Sequence, residues 1–127
     1  MDWLALWRRV WPQARAGNAG AQAEDAALRW LQQRGLRLLT RNYRCRRGEI
    51  DLVMQDGACV VFVEVRQRSS AWAGGAAASV DRAKQRRLQA AAAHWLQRQK
   101  RMPNCRFDLL ALDGEQVQWI KNIIQAE

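Results

Sequence analysis

Residues 49–66 read Glu49-Ile50-Asp51-Leu52-Val53-Met54-Gln55-Asp56-Gly57-Ala58-Cys59-Val60-Val61-Phe62-Val63-Glu64-Val65-Arg66. The first part alternates acidic and apolar side chains at period two. Asp56-Gly57 marks a hairpin turn, and the apolar run from Cys59 to Val65 predicts a strand buried on both faces. With Asp56 and Gly57 as the central pair of a type I′ turn, Gln55 pairs with Ala58, Phe62 lies opposite Asp51, and Glu64 lies opposite Glu49. Glu49, Asp51, Phe62, Glu64 and Arg66 then share one face, and Asp51 and Glu64 are diagonal neighbours about 7–8 Å apart at the backbone. A four-residue loop keeps this arrangement. A three-residue loop puts the two acids on opposite faces.

Glu64 needs a partner. A lone carboxylate among Val61, Phe62, Val63 and Val65 costs on the order of several kcal/mol to bury. Two partners suit it. Arg66, two residues on and on the same face, can form a salt bridge. A hard divalent cation can be held by the oxygens of Asp51 and Glu64 with a backbone carbonyl. Glu24 is either a third acid for that cation or part of a solvated helix face.

Outward from this hairpin, a helix is expected from about Ala21 to Arg34, with Ala23, Ala27, Trp30 and Leu31 as its apolar stripe and Gly35 as its C-cap. A strand follows from Leu36 to Cys45 with a polar break at Thr40–Asn42. Residues 67–78 read as a loop. A long helix runs from about Val80 to Lys100 behind a Ser79 N-cap, with Ala83, Leu88, Ala91 and Trp95 on one face and Arg82, Lys84, Arg86 and Arg87 on the other. Two strands close the chain, Arg106–Leu112 and Glu115–Ile120, joined at Asp113-Gly114. Helix, three strands, helix and two strands make a mixed α/β domain.

The 127 residues carry 21 Lys plus Arg against 12 Asp plus Glu, a net charge of +9. Most of the basic residues are Arg, whose planar fork suits phosphate, so nucleic acid is the first partner expected and an anionic membrane the second. Arg41, Arg44, Arg46 and Arg47 cluster before the central hairpin. Cys45, Cys59 and Cys105 have no zinc-ligand spacing, and one histidine, His94, cannot complete a Cys/His site. They are expected as reduced, mostly buried thiols of a cytoplasmic protein. The apolar stretch from Trp3 to Trp7 is too short to span a membrane, and Arg8 and Arg9 follow it, unlike a signal peptide. Residues 1–16 are read as a Trp-rich extension that could dock on a protein partner, and 17–127 as one domain. Trp72 in the loop could stack on a base, while Trp30, Trp95 and Trp119 are expected in the core.

Taken together, Gly48-Glu49-Ile50-Asp51-Leu52-Val53, Val61-Phe62-Val63-Glu64-Val65-Arg66, Gly20 to Glu24, Val80 to Lys84 and Arg106-Phe107-Asp108 resemble the YraN family. The resemblance runs from Gly17 to Lys121. It implies the restriction-endonuclease-like fold, a mixed central sheet flanked by helices, similar to archaeal Holliday-junction resolvases. Those nucleases carry an Asp, a spacer and Glu-x-Lys. Asp51 and Glu64 match the two acids, Glu24 matches a helix acid that completes the site, and all three would ligate Mg²⁺ or Mn²⁺. Arg66 stands where the lysine is expected. It can clamp a phosphate but cannot give up a proton. Lys84 could supply an amine from the helix, although an ordinary solvated phosphate contact is the simpler reading.

The resemblance therefore implies a Mg²⁺-dependent endonuclease on DNA, branched DNA included, working as a homodimer. Arg44, Arg46, Arg47, Arg68, Lys84 and Arg87 would bind nucleic acid, and Asp51, Glu64 and Arg66 would form the catalytic set. The alternatives are a binding module of the same fold without turnover and an adaptor acting through its N-terminus.

Overall fold

A computed structural model of the chain describes residues 19–67, 75–113 and 116–124. Helix α1 (Ala19–Gln33) leads into strands β1 (Arg37–Cys45), β2 (Gly48–Asp56) and β3 (Cys59–Gln67). A 3-10 turn (Ala77–Ser79) and helix α2 (Arg82–Leu96) precede β4 (Asn104–Asp113) and β5 (Gln116–Ile120). The strands form one sheet in the order β1-β2-β3-β4-β5. Neighbours are antiparallel except β3 and β4, which are parallel. A parallel pair needs a crossover long enough to return the chain, and α2 lies in that crossover. This is the mixed α/β sheet flanked by helices that the sequence led us to expect.

Each helix covers one face of the sheet. Ala23, Ala27, Trp30 and Leu31 of α1 pack on Leu52, Met54, Val61, Val63 and Leu110. Leu88, Ala91, Ala92 and Trp95 of α2 pack on Ile50, Val53, Phe62 and Leu109. Strand β3 lies at the centre and is buried on both faces because both helices cover it. Trp30 and Trp95 lie in the core as expected, and Trp119 is half-buried against α1's cluster.

Several local expectations are corrected. The central turn residues are Gly57 and Ala58, since Asp56 pairs with Cys59. Gly57 has φ 60° and Ala58 has no positive φ, so the glycine takes the first central position, as in a type II′ turn rather than I′. Strand β1 has no polar break. It continues through Thr40–Asn42 with a register shift between Leu38 and Thr40 and with Asn42 at φ 54°. Helix α2 is capped by Asp81 rather than Ser79 and ends at Leu96. Ser79 Oγ is engaged with the Ala76 carbonyl instead, and Ala83 is exposed. Gly35 has φ 92° and closes α1 as predicted. No cysteine is paired, and Cys105 is exposed rather than buried. Among the described residues, no helix is long and apolar enough to cross a membrane. The Trp-rich extension, Arg68 and Trp72 lie outside the described residues.

Candidate metal and phosphate site

Strands β2 and β3 stay paired from Asp56↔Cys59 to Leu52↔Val63. Beyond that point β2 continues on β1 through Tyr43↔Ile50 and Arg44↔Glu49, while β3 continues on β4 through Glu64↔Leu109. The sheet forks there, and the next residues on the two strands are Asp51 and Glu64. Asp51 Oδ2 accepts a hydrogen bond from the Val65 N–H at 2.8 Å, so a carboxylate replaces the backbone partner at the fork. Strict alternation also fails here. Ile50 packs under α2 and Leu52 under α1, although residues two apart should share a face. The expected diagonal pair is therefore an opposing pair. The register differs by two residues from the one expected, an even slip that keeps the acids together. Glu49 does not join them; it is exposed and lies 3.4 Å from Arg44.

Glu64 is 4% exposed. Its Oε2 lies 3.0 Å from Lys84 Nζ and 3.6 Å from Arg66 Nη2. These are ion-pair approaches without hydrogen-bond alignment, so that buried oxygen has no hydrogen-bond donor among the described residues. Lys84 is delivered by the first turn of α2, where Asp81 Oδ1 accepts from the Lys84 backbone N–H at 2.8 Å. With its side chain 17% exposed, Lys84 is not the solvated lysine that the simpler reading expected. The pairing of Glu64 is shared between Lys84 and Arg66, and Lys84 is the nearer of the two.

Burial pushes the Asp51 carboxyl up to about 8, helped by the hydrogen bond and the charge of Glu64 beside it and, more weakly, by Glu24. The Val65 N–H opposes the rise. Glu24, on α1, is also raised by burial, and Arg41 works against that. Its Oε1 lies 3.7 Å from Arg41 Nε and is buried without a hydrogen-bond donor among the described residues, so Glu24 is not part of a solvated helix face. Arg41 also reaches Asp25 and donates to the Ala21 carbonyl at 3.2 Å.

Two buried carboxylate oxygens lack an aligned donor among the described residues and stand near a carboxyl that is costly to ionise, so lone pairs remain for a further positive group. A hard divalent cation suits that donor set, and Mg²⁺ is commonly held by one or two carboxylates together with substrate phosphates. Among the described residues no three His, Cys, Asp or Glu side chains stand together as a complete metal cage. The protein's share of such a site would be the pair Asp51 and Glu64; Glu24, expected as a third ligand, is engaged by Arg41 and forms no group of three with them.

Five of the six residues expected to bind nucleic acid meet in one place. Arg44, Arg46, Arg47, Arg87 and Lys84 line a cavity of about 390 Å³ between the β1–β2 turn and α2. Gly48 makes the close approach possible. A Cβ there would stand 2.3 Å from the Arg87 carbonyl oxygen. Lys84 belongs to both the cavity and the carboxylate pair. Sequence reasoning underweighted Lys84 and missed two further devices. The Asp81-x-x-Lys84 spacing, a capping acid three residues before a lysine, was the available signal for the first. The others had none: Tyr43 Oη bonded to His94 Nδ1, and Asp108 held by Arg106, Trp119 and Asn122.

The model of the uncharacterised protein family UPF0102 matches residues 23–112. The chain is 55% identical over 115 residues to a UPF0102 protein of Janthinobacterium sp. (strain Marseille), covering 91% of this chain and 94% of the relative. A UPF0102 protein of Herminiimonas arsenicoxydans is 53% identical over 115 residues, 91% of this chain and 93% of its own. One from Aeromonas hydrophila is 49% identical over 119 residues, 91% of this chain and 90% of its own.

Proposed function

We propose a function from one premise: this chain belongs to the uncharacterised protein family UPF0102, the YraN family that its sequence resembles. In our reading it binds nucleic acid and acts as a Mg²⁺-dependent endonuclease on DNA, branched DNA included. One observation carries this. The buried pair Asp51 and Glu64 meets Lys84 at the wall of an arginine-lined cavity.

Asp51 and Glu64 would hold the cation. When bound, it would neutralise charge on the scissile phosphate and lower the pKa of a coordinated water. Lys84 Nζ is the amine nearest Glu64, and a lysine, unlike Arg66, can pass a proton to or from water. Arg66 would clamp a non-bridging phosphate oxygen and offset the charge that develops in the transition state. Arg44, Arg46, Arg47 and Arg87 would grip the flanking phosphates and set the position of the strand.

A second reading is a module that binds without cutting. Arg66 in the usual lysine position favours it.

One experiment separates the two. Labelled four-way junction, duplex and single-stranded DNA are incubated with Mg²⁺, Mn²⁺ or chelator, with Asp51→Asn and Glu64→Gln variants checked for folding. Metal-dependent cleavage, lost in both variants, supports the nuclease. Salt-sensitive binding with no cleavage under any metal supports the module.

A further inference from the structure

Lys84, Arg87, Ala90, His94 and Gln97 follow one another along α2 and its C-cap at spacings of three or four, so they form one stripe ~20 Å long. The stripe runs past two cavities. The first, lined by Arg44, Lys84 and Arg87, is the basic one already described. The second, of about 350 Å³, is lined on the helix side by Ala90, Ala93, His94 and Gln97. Cys45, Arg46 and Arg47 line both, so the two are joined side by side under the β1–β2 turn. The second cavity has two arginines and no acid among its lining residues, and its size lies in the small-molecule range.

We propose that this second cavity receives an unpaired nucleobase whose own phosphates lie in the neighbouring basic cavity. This rests on the nucleic-acid reading of that basic site. The two alanines give the helix side an apolar lining free of bulk, and the Arg46 and Arg47 side chains that also line it carry guanidiniums, planar cations suited to lie against a base. Tyr43 is buried, and its hydroxyl holds His94 Nδ1. The imidazole is thereby oriented, and Nε2 is left for a base edge. Gln97, one turn along the helix from His94, adds an amide to the same lining. A duplex keeps its bases stacked and paired, whereas a single strand, a flap or the centre of a branched molecule offers a base that can enter. The groove would thus direct the protein to unpaired segments, with phosphates giving affinity and the base giving selectivity.

The test is equilibrium binding in chelator, where no cleavage occurs. The probes are a short single-stranded DNA, the same strand with one abasic position moved stepwise along it, and a duplex. The proteins are the parent and Ala93→Leu, which adds bulk on an exposed helix position and keeps helix propensity. Loss of the base at one position should lower parent affinity about tenfold. Ala93→Leu should lower affinity for the intact strand to the abasic value and leave duplex affinity unchanged. Equal affinity for intact and abasic strands at every position overturns the groove proposal alone, provided binding remains salt-sensitive. An equal loss for strand and duplex in Ala93→Leu does the same. No binding of any probe overturns both this inference and the reading beneath it.

Discussion

Lys84 Nζ stands 3.0 Å from Glu64 Oε2, tying the first turn of α2 to the central strand of the sheet. Glu64 is held among valines, and this contact together with the longer one to Arg66 supplies its positive neighbours. A buried carboxylate stripped of its nearest cation is costly.

Lys84→Met should therefore destabilise the protein by about 2–3 kcal/mol, short of the full penalty for breaking a buried pair because Arg66 remains. Glu64→Gln added to Lys84→Met should recover most of the loss, since the uncompensated charge is then gone. Urea unfolding of the two single variants and the double variant gives the coupling. A parent-like midpoint for Lys84→Met would falsify this account of Glu64.

The Asp51 carboxyl, pushed up to about 8 from an ordinary 3.8 by burial and by Glu64, keeps a proton that the unfolded chain gives up. That proton's contribution is fully present below about pH 4 and is lost as pH climbs through about 8, so stability falls across that window. Asp51→Asn has no such proton to lose. It should match the parent near pH 4 and exceed it by on the order of a few kcal/mol near pH 8. Urea midpoints at the two ends and the middle of the window check this, and a gap independent of pH would refute it.

A cation between Asp51 and Glu64 favours the ionised form of Asp51. Mg²⁺ or Mn²⁺ affinity should rise with pH toward about 8, with close to one proton released per ion near neutral pH. Calorimetry in two buffers of different ionisation enthalpy reads that proton directly. Binding with no buffer dependence would place any ion elsewhere.

Gly48→Ala should cost about 1–3 kcal/mol. The new Cβ meets the Arg87 backbone at 2.3 Å from its oxygen and 2.9 Å from its carbon, and neither atom can rotate away. The turn must lift from α2, which should widen the basic cavity and, on the proposed function, weaken DNA binding. Gly20→Ala is the control, because no described residue lies within 4 Å of a Cβ there and α1 gains a better helix former. Thermal melts and binding curves of the two variants should move in opposite directions or, for Gly20→Ala, hardly at all.

Asp108 is fully buried, yet each of its oxygens is satisfied. Arg106 Nε reaches both at 3.1 Å, while Trp119 Nε1 and the Asn122 N–H donate at 3.0 Å. Asp108→Ala should cost about 3–5 kcal/mol by leaving those donors unpaired around a hole. The damage should centre on β5 and the residues after it. Hydrogen exchange would show β5 opening first, and uniform loosening of all strands would contradict this assignment.

The fold was legible because it rests on local pattern. Apolar stripes at helical spacing marked both helices, the continuous apolar run marked β3 as a strand buried on both faces, and Gly35 marked the end of α1. Asp51 and Glu64 stood out for the same reason, as acids inside apolar strands. Their meeting survived a wrong turn type only because the slip was two residues and left the strand parity unchanged.

The sequence by itself determined which side chains had to be buried and which charges would then need partners, since burial pattern and desolvation cost are properties of short segments. Only the tertiary structure decided who those partners are. Whether Lys84 is solvated or paired with Glu64 depends on how the first turn of α2 docks on β3. That docking in turn depends on Gly48 letting the β1–β2 turn touch Arg87. The forking of β2 from β3 at Asp51, the joining of Arg44, Arg46 and Arg47 to the helix stripe, and the three-donor cradle of Asp108 all arise from contacts distant in sequence. No residue type or spacing encodes them, because their energies exist only once the sheet and both helices are assembled.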